Sequence, residues 1–337
     1  MRFSKPSLFI LILTACAIPA PAPASTVTPP PTPTRALTAL QTASPNPTLA
    51  PTATKATPTS TVAPTSAASP IPSATLTSSN KILFTSKRDG RSQIYVMNAD
   101  GSGQMNLSRS DSNDLSPSWS PNNKQVVFNT NEGVFVMNAD GSGRKRLAEG
   151  SSPTWLPLRG IAFVFPGDKG SVMYVMNSDG SGQSMLWKQE IYNGQSGSPK
   201  WNRDGTRAVF GTYRNGNVDV YSLNTDGSDL KRLTFHGELD LEPAWSPDGK
   251  RIVFVSTRSG NGDIFVMNAD GSNLIQLTTD DADDHAPAWS ADGKKIVFTS
   301  NRDGNNEIYV MDADGKNQKN LTNNVADDSY ADWQPVP

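Results

Sequence analysis

Three markers recur in step along residues 80–337, and no other property of the chain restricts its fold so tightly. Asp-Gly stands at Asp100, Asp140, Asp179, Asp226, Asp270 and Asp314, at intervals of 40, 39, 47, 44 and 44 residues. Tryptophan stands at Trp119, Trp155, Trp201, Trp245, Trp289 and Trp333, spaced 36, 46, 44, 44 and 44. Six residues after each of those glycines comes a leucine: Leu107, Leu147, Leu186, Leu233, Leu277 and Leu321. Three independent markers that keep one count and one order describe a single unit repeated six times.

Each unit reads as four short strands. In the fifth copy the first is Pro243–Ser246, followed by the turn Ser246-Pro247-Asp248-Gly249. Proline at the second turn position and glycine at the fourth suit a type I turn that ends in a left-handed residue. Arg251–Ser256 is β-branched and alternating, as a strand requires. Asp263–Met267 is the third strand, Asn268-Ala269-Asp270-Gly271 the second tight turn, and Leu277-Thr278 lies on the fourth strand. No segment keeps a 3.6-residue apolar period, so helix content is expected to be negligible.

Four strands in about 44 residues, six times over, predict an all-β, six-bladed β-propeller. The first copy starts at its second strand, Lys81–Ser86, and the chain ends on a Trp strand, Tyr330–Pro335. That last strand is expected to complete the N-terminal blade and close the ring, leaving no open edge and a monomer. The pattern is best seen at 243–278 and 287–322, and it resembles the TolB-type propeller repeat over essentially all of 80–337. The resemblance is to the propeller half of that family. The α/β domain that precedes the propeller there is replaced here by residues of another kind. The second and third copies drift, with Trp155-Leu156-Pro157-Leu158-Arg159-Gly160 in place of the SPDGK turn.

Those preceding residues read as an address and a tether. Residues 1–16 have Arg2 and Lys5, the apolar run Leu8–Leu13, and then Leu13-Thr14-Ala15-Cys16. This is a secretory signal in outline, and LTAC resembles the lipobox of bacterial lipoproteins. The resemblance implies that Cys16, the only cysteine, is lipidated. The protein is then expected to be exported and held at a cell or outer membrane by its lipid anchor alone. Residues 17–79, rich in Pro, Thr, Ala and Ser, contain neither acid nor aromatic residue. They cannot offset their ordering entropy by burial and are expected to form a disordered linker.

Composition excludes several functions. Residues 80–337 hold all 32 acids and 26 of the 30 basic residues, a net charge of −6, which argues against nucleic acid as a partner. One cysteine and two histidines, His236 and His285, leave little for thiolate or histidine metal sites. No nucleophile elbow or phosphate loop is present, so no catalytic residue is assigned.

In such a blade the tight turns share one face. The second-to-third loops and blade-to-blade connections share the other, variable face, where binding is expected. Its connections carry twelve acids, of which Asp114, Asp240, Asp284 and Asp328 each stand five residues before a Trp. Arg88, Arg214, Arg258 and Arg302 come from the second-to-third loops of the same face. Two readings follow. The aspartates and arginines pair and lock neighbouring blades; or the aspartates, with His285 and Tyr330, form a ligand face. In the second reading Asp240, Asp284 and Asp328 are the candidates for a calcium ion, and no other cofactor is expected. The function this favours is a non-catalytic scaffold binding an envelope or extracellular protein, peptide or glycan. The alternatives are a lyase or hydrolase sited in the channel, and a structural envelope component related to the Tol system.

Overall fold

The structure, a computed structural model, describes residues 80–167, 170–191 and 198–336. The signal, Cys16 and the tether lie outside the described residues. In chain order the strands begin with β1 (Lys81–Ser86), β2 (Gln93–Asn98) and β3 (Met105–Asn106). Then come β4 (Leu115–Trp119), β5 (Gln125–Thr130), β6 (Gly133–Asn138) and β7 (Lys145–Ala148), followed by β8 (Ser151–Leu156), β9 (Gly160–Gly167), β10 (Gly170–Met176) and β11 (Ser184–Ile191). Next are β12 (Lys200–Trp201), β13 (Arg207–Arg214), β14 (Asn217–Asn224) and β15 (Lys231–Arg232), and β16 (Asp240–Trp245), β17 (Arg251–Ser256), β18 (Asp263–Asn268) and β19 (Ile275–Gln276). The last are β20 (Asp284–Trp289), β21 (Lys295–Ser300), β22 (Glu307–Asp312), β23 (Lys319–Asn320) and β24 (Asp328–Trp333). They form six four-stranded antiparallel sheets, and no helix occurs among the described residues.

The ring closes as the repeat count predicts. β24 pairs with β1, so the first blade has the order β24-β1-β2-β3. Gln334 N donates to Lys81 O at 2.8 Å, and the Trp333 indole N–H donates to Asn80 Oδ1 at 2.8 Å. The first strands of successive blades touch all the way round, so β4, β8, β12, β16, β20 and β24 line the central axis.

The core is not one mass but six interfaces. Each apolar cluster joins residues of two adjacent blades, including the last and first, where Val297 and Ile308 meet Ile82 and Phe84. Every marker tryptophan packs into the interface with the preceding blade, as Trp289 does with Val253 and Ile264. The Asp-Gly turns dock across the same interfaces. A Cβ on Gly101, Gly271 or Gly315 would sit 2.6, 2.7 and 2.7 Å from the carbonyl oxygens of Leu321, Leu233 and Leu277 in the preceding blade. Only glycine permits that approach, and φ near +90° also favours it. Tryptophan, Asp-Gly and leucine are thus parts of one blade-to-blade contact, repeated six times.

Candidate functional site at the variable face

The tight turns on one face are self-contained. Asp270 Oδ1 accepts from Ser272 N at 2.9 Å and from its hydroxyl at 2.6 Å, and the same geometry recurs at Asp100, Asp140, Asp179 and Asp226. The chain also enters on this face: Asn80 O accepts from Ala99 N, inside the first of these turns. The opposite end of the channel is therefore the face free to vary.

At that end the four aspartates are fully buried and ion-paired, and none faces the channel as a ligand surface. Arg258 reaches Asp240 at 2.9 and 3.1 Å, Arg302 reaches Asp284 at 3.1 and 3.0 Å, and Arg88 reaches Asp328 at 2.5 Å. Each guanidinium lies over two aromatic rings of its own blade; Arg302 stands 5.6 Å from Phe298 and 4.6 Å from Tyr309. The serine two residues before each arginine accepts its Nε–H, at 2.7, 2.7 and 2.8 Å for Ser86, Ser256 and Ser300. Burial pushes the carboxyl groups of Asp284 and Asp328 above their ordinary value, and serine and arginine oppose that shift. A buried carboxylate keeps its charge only with such partners.

Two corrections to the pairing follow. The pairs lie within a blade, not between blades, because each aspartate begins the first strand of the sheet whose second strand leads to its arginine. The link to a neighbouring blade is indirect: Arg88 donates to Gln104, whose amide donates to Leu321 O at 3.0 Å. Arg214 takes no part. It lies 5.8 Å from the Tyr221 ring and has no ion pair among the described residues. The place of its aspartate is Ser196, outside those residues. Asp219 pairs instead with Arg232 at 2.8 Å.

The aspartates do not converge on a calcium site. Among the described residues no group of three or more His, Cys, Asp or Glu is arranged to hold a metal ion. His236 is exposed in its connection, where its Nδ1 accepts from Glu238 N at 3.2 Å. His285 and Tyr330 do come together, with ring centroids 6.1 Å apart at 70°.

Sequence reasoning missed two features. One is a clamp. The side-chain amides of Asn217 and Asn305 each donate to two carbonyls of the following connection, His236 and Glu238 at 2.8 Å, Asn324 and Ala326 at 3.0 and 3.1 Å. The other is a ring at the channel mouth, three residues before each Trp: Ser116, Ser152, Ser198, Glu242, Ala286 and Tyr330. Five of these are left-handed, with φ of 51, 52, 49, 50 and 55° for Ser116, Ser152, Glu242, Ala286 and Tyr330. The bulge there breaks the pairing of the innermost strand. The recurrent distance from Trp was visible in the sequence, but nothing in it announces a positive φ at residues other than glycine.

Known proteins agree with this architecture. The TolB beta propeller domain family model matches residues 72–192 and 159–285, together more than half of the chain. TolB from Acinetobacter baumannii superposes with a TM-score of 0.69 at 20% identity, covering 76% of this chain and 67% of that one. A nidogen/laminin complex gives a TM-score of 0.59 at 12% identity, covering 76% and 98%. An oligogalacturonate lyase in complex with manganese gives 0.51 at 16%, covering 71% and 73%. At such identities the likeness is one of fold alone. No curated protein matches the sequence. With its repeat, its six blades and the family match in agreement, the chain belongs to the TolB beta propeller domain family.

Proposed function

We propose that this propeller is a non-catalytic scaffold that binds a protein partner at its variable face, exported and held at a membrane by a lipid on Cys16. The observation that carries the binding reading is the division of labour between faces. The Asp-Gly turns repeat from blade to blade and are used up in docking one blade to the next, whereas the connections at the opposite mouth differ in side chain from blade to blade. The nidogen/laminin complex, in which a similar propeller takes part, supports a protein as the partner. The signal and lipobox pattern before the tether supports the anchor.

Photo-crosslinking in intact cell envelopes tests the binding face. A photoreactive side chain replaces Phe235, 73% exposed on the variable face, or Leu158, 97% exposed on the turn face. Adducts are expected from position 235 and not from 158; equal yields from both, or none from 235, overturn the reading. For the anchor, Cys16→Ser is expected to release the protein or leave its precursor uncut. Unchanged membrane fractionation and processing would remove the lipid from the proposal.

A further inference from the structure

We infer that the channel mouth takes a basic side chain of the partner polypeptide, held between the carboxylate of Glu242 and the ring of Tyr330. This rests on the binding reading above and names the chemistry of what enters. Six residues share the level of the mouth, one per blade, and four are small: Ser116, Ser152, Ser198 and Ala286. Of the six, only Glu242 and Tyr330 carry larger side chains.

Glu242 is held in place by its surroundings. Its left-handed backbone, φ 49°, fixes the start of the side chain, and Oε2 accepts from Ala286 N of the next blade at 2.6 Å. Every one of the four buried aspartates nearby has a guanidinium. Glu242 has no ion-pair partner among the described residues, so a fixed carboxylate stands at the mouth without a cation. Tyr330 is 38% exposed, and His285 packs against it at 70°, which sets the plane of its ring. Glu242 Oε2 is held on Ala286 N, and the preceding residue, His285, packs against Tyr330, so the chain from carboxylate to ring runs through two adjacent residues at the mouth. Burial, and then the charge of Glu242, push the phenol up to about 12.

A cation between these groups gains from both. The carboxylate attracts it, and the face of an aromatic ring carries the negative end of its quadrupole. A hard metal ion wants six or more oxygen ligands, and the mouth supplies one carboxylate without a cluster of acids. An alkylammonium or guanidinium needs one carboxylate and an aromatic face, which is what the mouth presents.

The test uses the full chain in detergent and a fluorescein-labelled hexalysine peptide, read by fluorescence anisotropy. Glu242→Gln keeps an oxygen for Ala286 N and removes the charge. It is expected to weaken binding about tenfold, and Tyr330→Leu to weaken it several-fold. Asp281→Asn, an exposed acid of the same face, is the control and is expected to change binding less than about twofold. Failure of the parent to bind hexalysine, an unchanged affinity in Glu242→Gln, or an equal loss in Asp281→Asn would each overturn the inference. Crosslinks from position 235 that persist in Glu242→Gln, with hexalysine binding absent, would retire this inference while the binding face stands.

Discussion

Arg144 grips Asp114 with both ends of its guanidinium, Nη1 to Oδ2 and Nη2 to Oδ1, each at 2.8 Å. It also lies 4.9 and 4.8 Å from the Phe128 and Phe135 rings. That is the slot filled in three other blades by Arg88, Arg258 and Arg302, which arrive from the second-to-third loop. In this blade that loop shrinks to two residues, Asn131 and Glu132. The guanidinium arrives instead from the start of the fourth strand, at the position held elsewhere by Gln104 and Gln318. The slot is kept and its occupant's place in the sequence is not, because a buried carboxylate without a cation costs several kcal/mol.

Removing that cation is therefore expected to destabilise the fold. Arg144→Leu should cost about 3 kcal/mol, the lower end for a broken buried pair, since Arg144 itself is 27% exposed. Lys87→Gln breaks a pair exposed on both sides, at 59% and 36%, and should cost under about 1 kcal/mol. Urea unfolding of both variants measures the difference; equal costs would show that the slot does not matter. Asp240→Asn with Asp284→Asn should likewise lower the melting temperature and leave partner binding intact.

The docking glycines can be separated from ordinary turn glycines. Gly249 has φ +68° with nothing within 4 Å of where a Cβ would stand, whereas a Cβ on Gly315 meets Leu277 O at 2.7 Å. Gly249→Ala should cost about 1–2 kcal/mol from backbone handedness alone. Gly315→Ala should cost more, because a backbone carbonyl in the adjacent blade must move as well. Similar melting temperatures for the two variants would contradict blade docking through this turn.

Deleting residues 330–337 removes most of β24, along with Asp332, whose Oδ2 accepts from Trp119 N of the next blade at 2.8 Å. It also strips the Trp333 ring from the interface between the last and first blades. Unfolding should lose its cooperativity and the protein should aggregate through the exposed edges. A truncated chain that melts in one transition at the parent temperature would mean that the ring closes elsewhere.

Acid should unpick the tight turns. The carboxyl groups of Asp100, Asp140, Asp179, Asp226 and Asp270 are held below their ordinary value, first by the hydroxyl of the serine two residues on and then by that serine's N–H. A folded value below the unfolded one, about 3.9, gives stability that is present above that pH and lost as pH falls through the folded value. Asp284 and Asp328, raised by burial, act with the opposite sign: their contribution is present below the unfolded value, about 3.9, and is lost as pH rises from there through the raised folded value. Ser272→Ala should move Asp270 back up toward the ordinary carboxylate value, as read by an NMR pH titration. An unmoved titration curve would show that the hydroxyl is not the cause.

The sequence alone determined the architecture, because a propeller repeats one interface and so repeats the residues that make it. Trp289, Gly315 and Leu277 each meet an adjacent blade, and the sixfold recurrence of their kind is countable along the chain. The address and tether are read from composition and order, which need no contacts. Tertiary structure decided what the variable face does with its charges. Asp114, Asp240, Asp284 and Asp328 look in sequence like a ring open to a ligand; folding buries them against arginines of their own blades. Which arginine reaches which carboxylate depends on loop length and on how far a side chain extends from the fourth strand, as Arg144 shows. Glu242, one acid among twelve in the sequence, stands apart only once a left-handed bulge sets it at the mouth without a guanidinium. Pairing and exposure are properties of distance in space, and a linear pattern carries them only where every blade repeats them.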